Sequence, residues 1–272
     1  MKENIPLLGI LATPYINNKN KSSREIILDK TLIQLLKNKN INYKIIPYTI
    51  TKTKLNELLN SLDGLIFPGG QIGNFYNNKF YKAYFKAQKY LMKRAKHINS
   101  LSRPFPVLGI CNGYENMILI ERNYNISKNH IKKTFIIVKS YKNYNTPLFS
   151  NKYRKMRLNK TKKIMHNNLL AIDPKNNIGE YIILATSLDK NNKEFIEIVK
   201  HNKFPFYGFQ GHPEVNNDEL LDPFIKVVKV SFNKRKSMST NTSNNKTSSS
   251  KTSNNKTSKV KTLKLRVLNS HF

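Results

Sequence analysis

Three runs, LLGILA at 7–12, GLIF at 64–67 and FPVLGI at 105–110, carry no polar side chain and are separated by long stretches patterned for helices. A strand with one face in water alternates apolar and polar residues, so a strand apolar on both faces must be covered on both. Such strands alternating with helices specify an α/β three-layer sandwich, a mostly parallel central sheet with helices on each face.

The intervening stretches fit that layout. SSREIILDKTLIQLLKNKN offers Ser22 or Ser23 as a cap and Ile26, Ile27, Ile33 and Leu36 as one helical face. A strand is expected around Tyr43 to Pro47, a short helix over Lys52 to Ser61, and a long helix over 78–99 that buries Tyr81, Tyr84, Phe85, Tyr90 and Leu91. In the second half TFIIVK (134–139), EYIILATS (180–187), EFIEIV (194–199) and FPFYGFQ (204–210) read as strands. DELLDPFIKVVKVSF closes the body as a helix, with Pro223 in its first turns, where a missing N–H is tolerated.

A chain of 272 residues accommodates one domain of this kind plus an appendage. The composition changes at Asn233: from there to Phe272 no acidic residue occurs and almost no apolar one before Val260. A segment rich in Lys, Ser, Thr and Asn cannot bury enough surface to offset its ordering entropy, so 1–232 reads as the folded domain and 233–272 as a disordered basic tail. TSNNKTS occurs twice in it, at 242–248 and 252–258, as a low-complexity echo with no core to stack.

The net charge is +32, and the ten Lys and Arg of the tail leave the body at +22. Charge of that size attracts nucleic acid, anionic surfaces and acidic partners at long range. Lysine and asparagine are spread over strands, helices and loops alike, which marks a chain-wide bias and not a dedicated patch. The tail, ending in the alternating VKTLKLRVL, is the candidate contact for nucleic acid or an acidic partner.

Cys111 is the only cysteine, which excludes an intramolecular disulfide and a cysteine zinc cluster. MKENIPLLGILATPY has a short apolar run broken by Pro6 and preceded by Glu3, so it reads as a first buried strand, not a secretory signal, which favours the cytoplasm. No apolar run approaches the roughly 18 residues of a membrane span, and a soluble protein is expected.

In an open parallel sheet, ligands bind beyond the carboxyl ends of the strands. Three signals fall there: Pro68-Gly69-Gly70, Gly109-Ile110-Cys111-Asn112-Gly113 and Gln210-Gly211-His212-Pro213-Glu214. Cys111 ends an apolar strand, has glycines at minus two and plus two, and precedes a helix containing Glu115, Met117, Ile118 and Ile120. This is the strand-to-helix elbow that exposes a nucleophile, and the helix N-terminus favours a thiolate and supplies oxyanion donors.

His212 is the candidate base, with Glu214 two residues on, on the same side of an extended segment, to orient it. A backbone N–H of Gly69 or Gly70 would join that of Asn112 as the oxyanion hole. His166, in KIMHNNLLAI, lies near a strand end where it could meet a substrate carboxylate or amide, although its polar setting reads as a surface histidine. The histidines at 97, 130, 201 and 271 sit in basic polar contexts and carry no signal.

DGLIFPGG, FPVLGICNGYENM and FPFYGFQGHPE, in that order, resemble the γ-glutamyl hydrolase branch of the class I glutamine amidotransferase-like superfamily. PLLGILATPY and DKNNKEFIEIVKHNK extend the likeness over about residues 5 to 232. The resemblance implies a flavodoxin-like sandwich, a homodimer, no cofactor or metal, and a thiol mechanism on a small γ-glutamyl substrate such as folyl-poly-γ-glutamate. By motif match Cys111 would be the nucleophile, His212 the general base and acid and Glu214 its orienting carboxylate. Gly70 and Asn112 would offer oxyanion N–H groups, and His166 would lie near the glutamyl group.

The branch carries a bulky aromatic where Gly211 stands, and a threonine and an apolar residue where Ile110 and Asn112 stand. A glycine before His212 is expected to loosen its rotamer. Members of the family commonly enter the secretory, lysosomal or vacuolar route. Two other classes of function fit the same residues: a glutaminase subunit passing ammonia to a separate synthetase, and a catalytically degenerate fold kept as a basic binding protein.

Overall fold

The computed structural model describes residues 5–17, 20–70, 78–101, 103–138, 144–147, 163–216, 218–244 and 265–268. The first half comprises β1 (Leu7–Leu11), β2 (Thr13–Asn17), β3 (Asn20–Asp29), α1 (Lys30–Asn38), β4 (Asn42–Ile46), α2 (Lys52–Ser61), β5 (Gly64–Phe67), α3 (Lys79–Ser100), β6 (Val107–Ile110) and α4 (Asn112–Glu121). The second comprises α5 (Lys128–Thr134), β7 (Phe135–Ile137), β8 (Tyr144–Pro147), β9 (Lys163–His166), β10 (Leu170–Ile172), β11 (Tyr181–Leu188), β12 (Glu194–His201) and β13 (Phe206–Phe209). A short α6 (Pro213–Asn216), a 3-10 turn (Asp218–Leu221), α7 (Asp222–Asn244) and β14 (Leu265–Leu268) follow.

Seven strands form the central sheet in the order β11-β12-β13-β6-β5-β1-β4. The five from β13 to β4 run parallel, and β12 and β11 are antiparallel additions at one side. The pleat sorts the apolar runs by a period of two. Leu8, Ile10, Ile66, Leu108 and Ile110 face α1 and α7, where Leu32, Leu35, Leu36, Phe224, Ile225 and Val228 cover them. Leu11, Leu65, Phe67 and Val107 face the opposite layer, built from α2, α3 and α4. The expected mostly parallel three-layer sandwich is the fold. No helix among the described residues is long and apolar enough to cross a membrane.

Helix α3 shows how local sequence builds a layer. Asn78 caps it by accepting from the Phe80 N–H at 2.8 Å, and Tyr81, Tyr84, Phe85, Gln88, Leu91, Met92 and Ala95 recur at helical spacing along its buried face. One member of that stripe, Gln88, is polar, and its amide reaches the Gly113 carbonyl in α4.

The register places the three motifs side by side. Phe209 of β13 pairs with Ile110 of β6, and Phe67 of β5 pairs with Gly109. The loops that leave these adjacent strands begin at nearly one level, so Pro68-Gly69-Gly70, Cys111 and Gln210-Gly211-His212 converge.

Two expectations change. Residues 20–29 were expected to start a helix capped at Ser22 or Ser23, yet they form β3, paired with β2 and with β14, and the helix begins only at Lys30. Adjacent β-branched Ile26 and Ile27 suit a strand, and strand partners distant in sequence decide the matter.

The boundary at residue 232 also shifts. Helix α7 continues to Asn244, and Arg235 beyond the boundary clamps the buried Asp63 with Nε at 2.7 Å and Nη2 at 2.9 Å. Asp63 also accepts the Leu7 N–H at 2.9 Å, so one carboxylate ties α7 to the start of β1. Of the remaining tail, 245–264 and 269–272 lie outside the described residues.

Arg235→Ala leaves a fully buried carboxylate with a single donor among the described residues. Arg235 is itself 27% exposed, so the expected loss is about 2 kcal/mol, below the range for a wholly buried pair. Urea unfolding of this variant, and of a chain ended after residue 232, should show matching losses.

Candidate active site

Cys111 stands between β6 and α4 with φ 50° and ψ −116°, a backbone conformation that costs a non-glycine residue about 1–3 kcal/mol. Its N–H still donates to the Phe209 carbonyl at 2.7 Å, extending the β6–β13 ladder to Cys111. The flanking glycines are required by close approach. A Cβ on Gly113 would lie 1.9 Å from the Phe67 carbonyl oxygen, and one on Gly109 would lie 2.4 Å from the Met117 sulfur.

His212 is 7% exposed and donates its Nδ1–H to Glu214 Oε1 at 2.9 Å. With Nδ1 engaged, its hydrogen bond to Cys111 falls to Nε2. The expected pairing of His212 with Glu214 is present, but its cause differs. Glu214 lies in the helical turn α6, which folds it back onto the ring, and not in an extended segment.

Gly69 packs between the His212 and Cys111 side chains: a Cβ there would lie 2.9 Å from His212 Cε1 and 3.4 Å from Cys111 Cβ. One on Gly70 would lie 3.2 Å from Thr13 Cγ2 and 3.7 Å from Asn112 Oδ1. Cys111, His212, Gly69, Gly70 and Asn112 thus share one corner at the carboxyl ends of β5, β6 and β13.

Burial pushes the Cys111 thiol above its ordinary value, against the pull of the His212 hydrogen bond and charge. Burial alone would lower His212, but the Glu214 carboxylate and the hydrogen bond to Cys111 hold the imidazole well above 6.5. The two titrate as a pair.

Gly211 does not loosen His212. The space of a side chain at 211 is already filled, since a Cβ would fall 1.9 Å from Ile164 Cγ2, 2.8 Å from the Met165 carbonyl and 3.0 Å from Glu197 Oε1. The Met165 carbonyl accepts the His212 N–H at 2.8 Å, and Glu197 Oε1 accepts the Gly211 N–H at 2.8 Å. The turn is therefore held by β9 and β12 from behind.

His166 is buried, 1% exposed, where its polar neighbours in sequence suggested the surface. Nε2 lies 2.9 Å from Glu197 Oε2 and Nδ1 lies 3.0 Å from Asn168 Oδ1. It stands behind the His212 turn, joined to it through Glu197.

Glu115 was visible in the sequence only as part of a helix. It sits in the first turn of α4, 3% exposed, and accepts from Gln210 Nε2 at 2.9 Å. Burial raises its carboxyl to about 7, against hydrogen bonds from Gln210 and Asn112 and the charge of His212. An acid four residues after the nucleophile and an amide two before the histidine were the available signals. Glu197 was marked by a charge inside the apolar strand EFIEIV.

The sign of the Glu115 linkage follows from its raised value. Between about 4.5 and about 7 the folded protein keeps a proton that the unfolded chain has released, so stability falls as pH rises through that window. Glu115→Gln removes this contribution. Its stability relative to the parent should improve between pH 5 and pH 8 by up to about 3 kcal/mol, read from urea midpoints at the two pH values.

The model of the glutamine amidotransferase class-I family matches residues 26–227. Among curated proteins, the chain is 29% identical over 188 residues to gamma-glutamyl hydrolase 1 of Arabidopsis thaliana, covering 64% of this chain and 52% of that one. It is 23% identical over 232 residues to gamma-glutamyl hydrolase B of Dictyostelium discoideum, covering 78% and 63%. The chain thus spans just over half of the first relative and under two thirds of the second. Among solved structures, a candidate GMP synthase component from Thermoplasma acidophilum superimposes with a TM-score of 0.58 at 16% identity, covering 86% of this chain and 99% of that one. This last likeness concerns the fold alone.

Proposed function

Because the chain belongs to the glutamine amidotransferase class-I family, we propose that it is a cysteine hydrolase that cleaves γ-glutamyl amide bonds through a thioester, on substrates such as folyl-poly-γ-glutamate. The observation that carries this reading is Cys111 on a strained elbow, hydrogen-bonded to a histidine whose far nitrogen is held by Glu214. The similarity to proteins named gamma-glutamyl hydrolase supports the choice of bond.

His212 Nε2 takes the Cys111 proton, and the sulfur attacks the γ-carbonyl carbon. The carbonyl oxygen becomes an oxyanion facing the N–H groups of Asn112 and Gly70, donors that need not move as charge develops. Collapse breaks the carbon–nitrogen bond while His212 returns its proton to the leaving nitrogen, giving a γ-glutamyl thioester and a free amine. His212 then deprotonates water, which attacks the thioester. The carbon–sulfur bond breaks, glutamate or a shortened chain departs, and the thiol regains its proton. Glu214 stabilises the imidazolium in both halves.

The test is to incubate the protein with a short poly-γ-glutamyl chain and, separately, with glutamine, measuring freed glutamate and ammonia. Shortened chains should form faster than ammonia. Ammonia release alone would reassign the protein as a glutaminase, and turnover of neither substrate above a Cys111→Ala control would end the hydrolase reading.

A further inference from the structure

We propose that Asn112 is a specificity-determining residue whose side-chain oxygen accepts a hydrogen bond from the α-nitrogen of a bound γ-glutamyl ligand, with Tyr81 as the positioning residue that fixes its orientation. This rests on the γ-glutamyl reading above and adds to it a contact that an apolar residue at position 112 could not make.

The orientation follows from a one-way ring of buried hydrogen bonds. Gln88 Nε2 donates to the Gly113 carbonyl at 2.7 Å, and Asn116 Nδ2 donates to Gln88 Oε1 at 3.0 Å. Tyr81 donates its hydroxyl proton to Asn116 Oδ1 at 3.0 Å and accepts from Asn112 Nδ2 at 2.7 Å. A backbone carbonyl only accepts, so Gln88 must present its amide nitrogen to Gly113, and each later direction is then forced. The ring ends at Asn112, whose nitrogen must face Tyr81. The same amide group also reaches Glu115.

Asn112 Oδ1 is therefore turned the other way. It is buried, has no hydrogen-bond partner among the described residues, and lies 3.7 Å from the position of a Cβ on Gly70, which is exposed. A buried acceptor without a donor is destabilising unless something supplies one. The γ-carbonyl and the α-carboxylate of a γ-glutamyl group only accept, whereas its α-nitrogen donates, as an ammonium at the start of a chain and as an amide N–H within one.

Glutamate and glutarate differ only in the ammonium group, and calorimetric titration of both reads the preference without turnover. The native protein should bind glutamate about tenfold or more tighter than glutarate, as expected of a hydrogen bond to a charged group. Asn112→Leu should bring the ratio of the two dissociation constants close to one. Tyr81→Phe, which frees the Asn112 amide to turn over, should reduce the ratio partway, and should add nothing in the Asn112→Leu background.

A purely structural role weakens both ligands together, so an unchanged ratio in Asn112→Leu, or in Tyr81→Phe if the first variant does not fold, overturns the proposal. A native protein that shows no preference, or binds neither ligand, overturns it as well. The hydrolase reading stands or falls separately on cleavage of the γ-glutamyl chain: a protein that prefers glutamate and cleaves nothing keeps the Asn112 contact and loses the hydrolase.

Discussion

Replacing Cys111 by alanine should lower kcat on a γ-glutamyl chain by about 10⁴-fold or more, since the histidine and oxyanion donors that remain have no nucleophile to serve. Stability should barely change, because a small thiol is lost from a site where it donates no structural bond beyond that to His212. Cys111→Gly separates strain from chemistry. It is equally inactive, yet glycine adopts φ 50° freely, so it should unfold about 1 kcal/mol later than Cys111→Ala in urea. Alanine retaining more than about one part in a hundred of the activity would remove Cys111 from the nucleophile role. Equal stability of the two variants would mean that the elbow stores no strain.

Gly211→Trp should be damaging as well, although it introduces the kind of residue that the γ-glutamyl hydrolase resemblance places there. Its Cβ alone would meet Ile164 Cγ2 at 1.9 Å and the Met165 carbonyl at 2.8 Å. Overpacking of this severity costs about 3 kcal/mol or more, and a displacement of His212 of about 1 Å lowers kcat by about 10²-fold. Gly211→Ala applies the same clash with one atom, and its activity should fall while the protein still folds. A tryptophan variant as stable and as fast as the parent would show that β9 and Glu197 do not hold the histidine turn.

Cys111, His212 and Glu214 were legible because local chain geometry dictates their neighbours. A sharp strand-to-helix turn needs small residues two positions either side of the nucleophile, and GHPE contains both the ring and its carboxylate within one turn. Their convergence was legible too, since strands apolar on both faces imply a parallel sheet and a common carboxyl edge.

Other features were not local. Ile26 and Ile27 satisfy a helical face and a strand equally, and pairing with β2 and β14 settled the choice. The composition of 233–244 signals a tail, yet Arg235 finds Asp63, 172 positions earlier, and the helix continues.

The sequence by itself determined the sandwich and the edge at which Cys111, His212 and Glu214 gather, because periodicity and turn sterics act over a few neighbouring residues. Only the tertiary structure decided that Gly211 makes room for Ile164 and Glu197, that Glu115 is a buried acid raised to about 7, and that Asn112 is turned by Tyr81. Each of these depends on partners from other elements, and on desolvation and hydrogen-bond direction that exist only once those elements have packed.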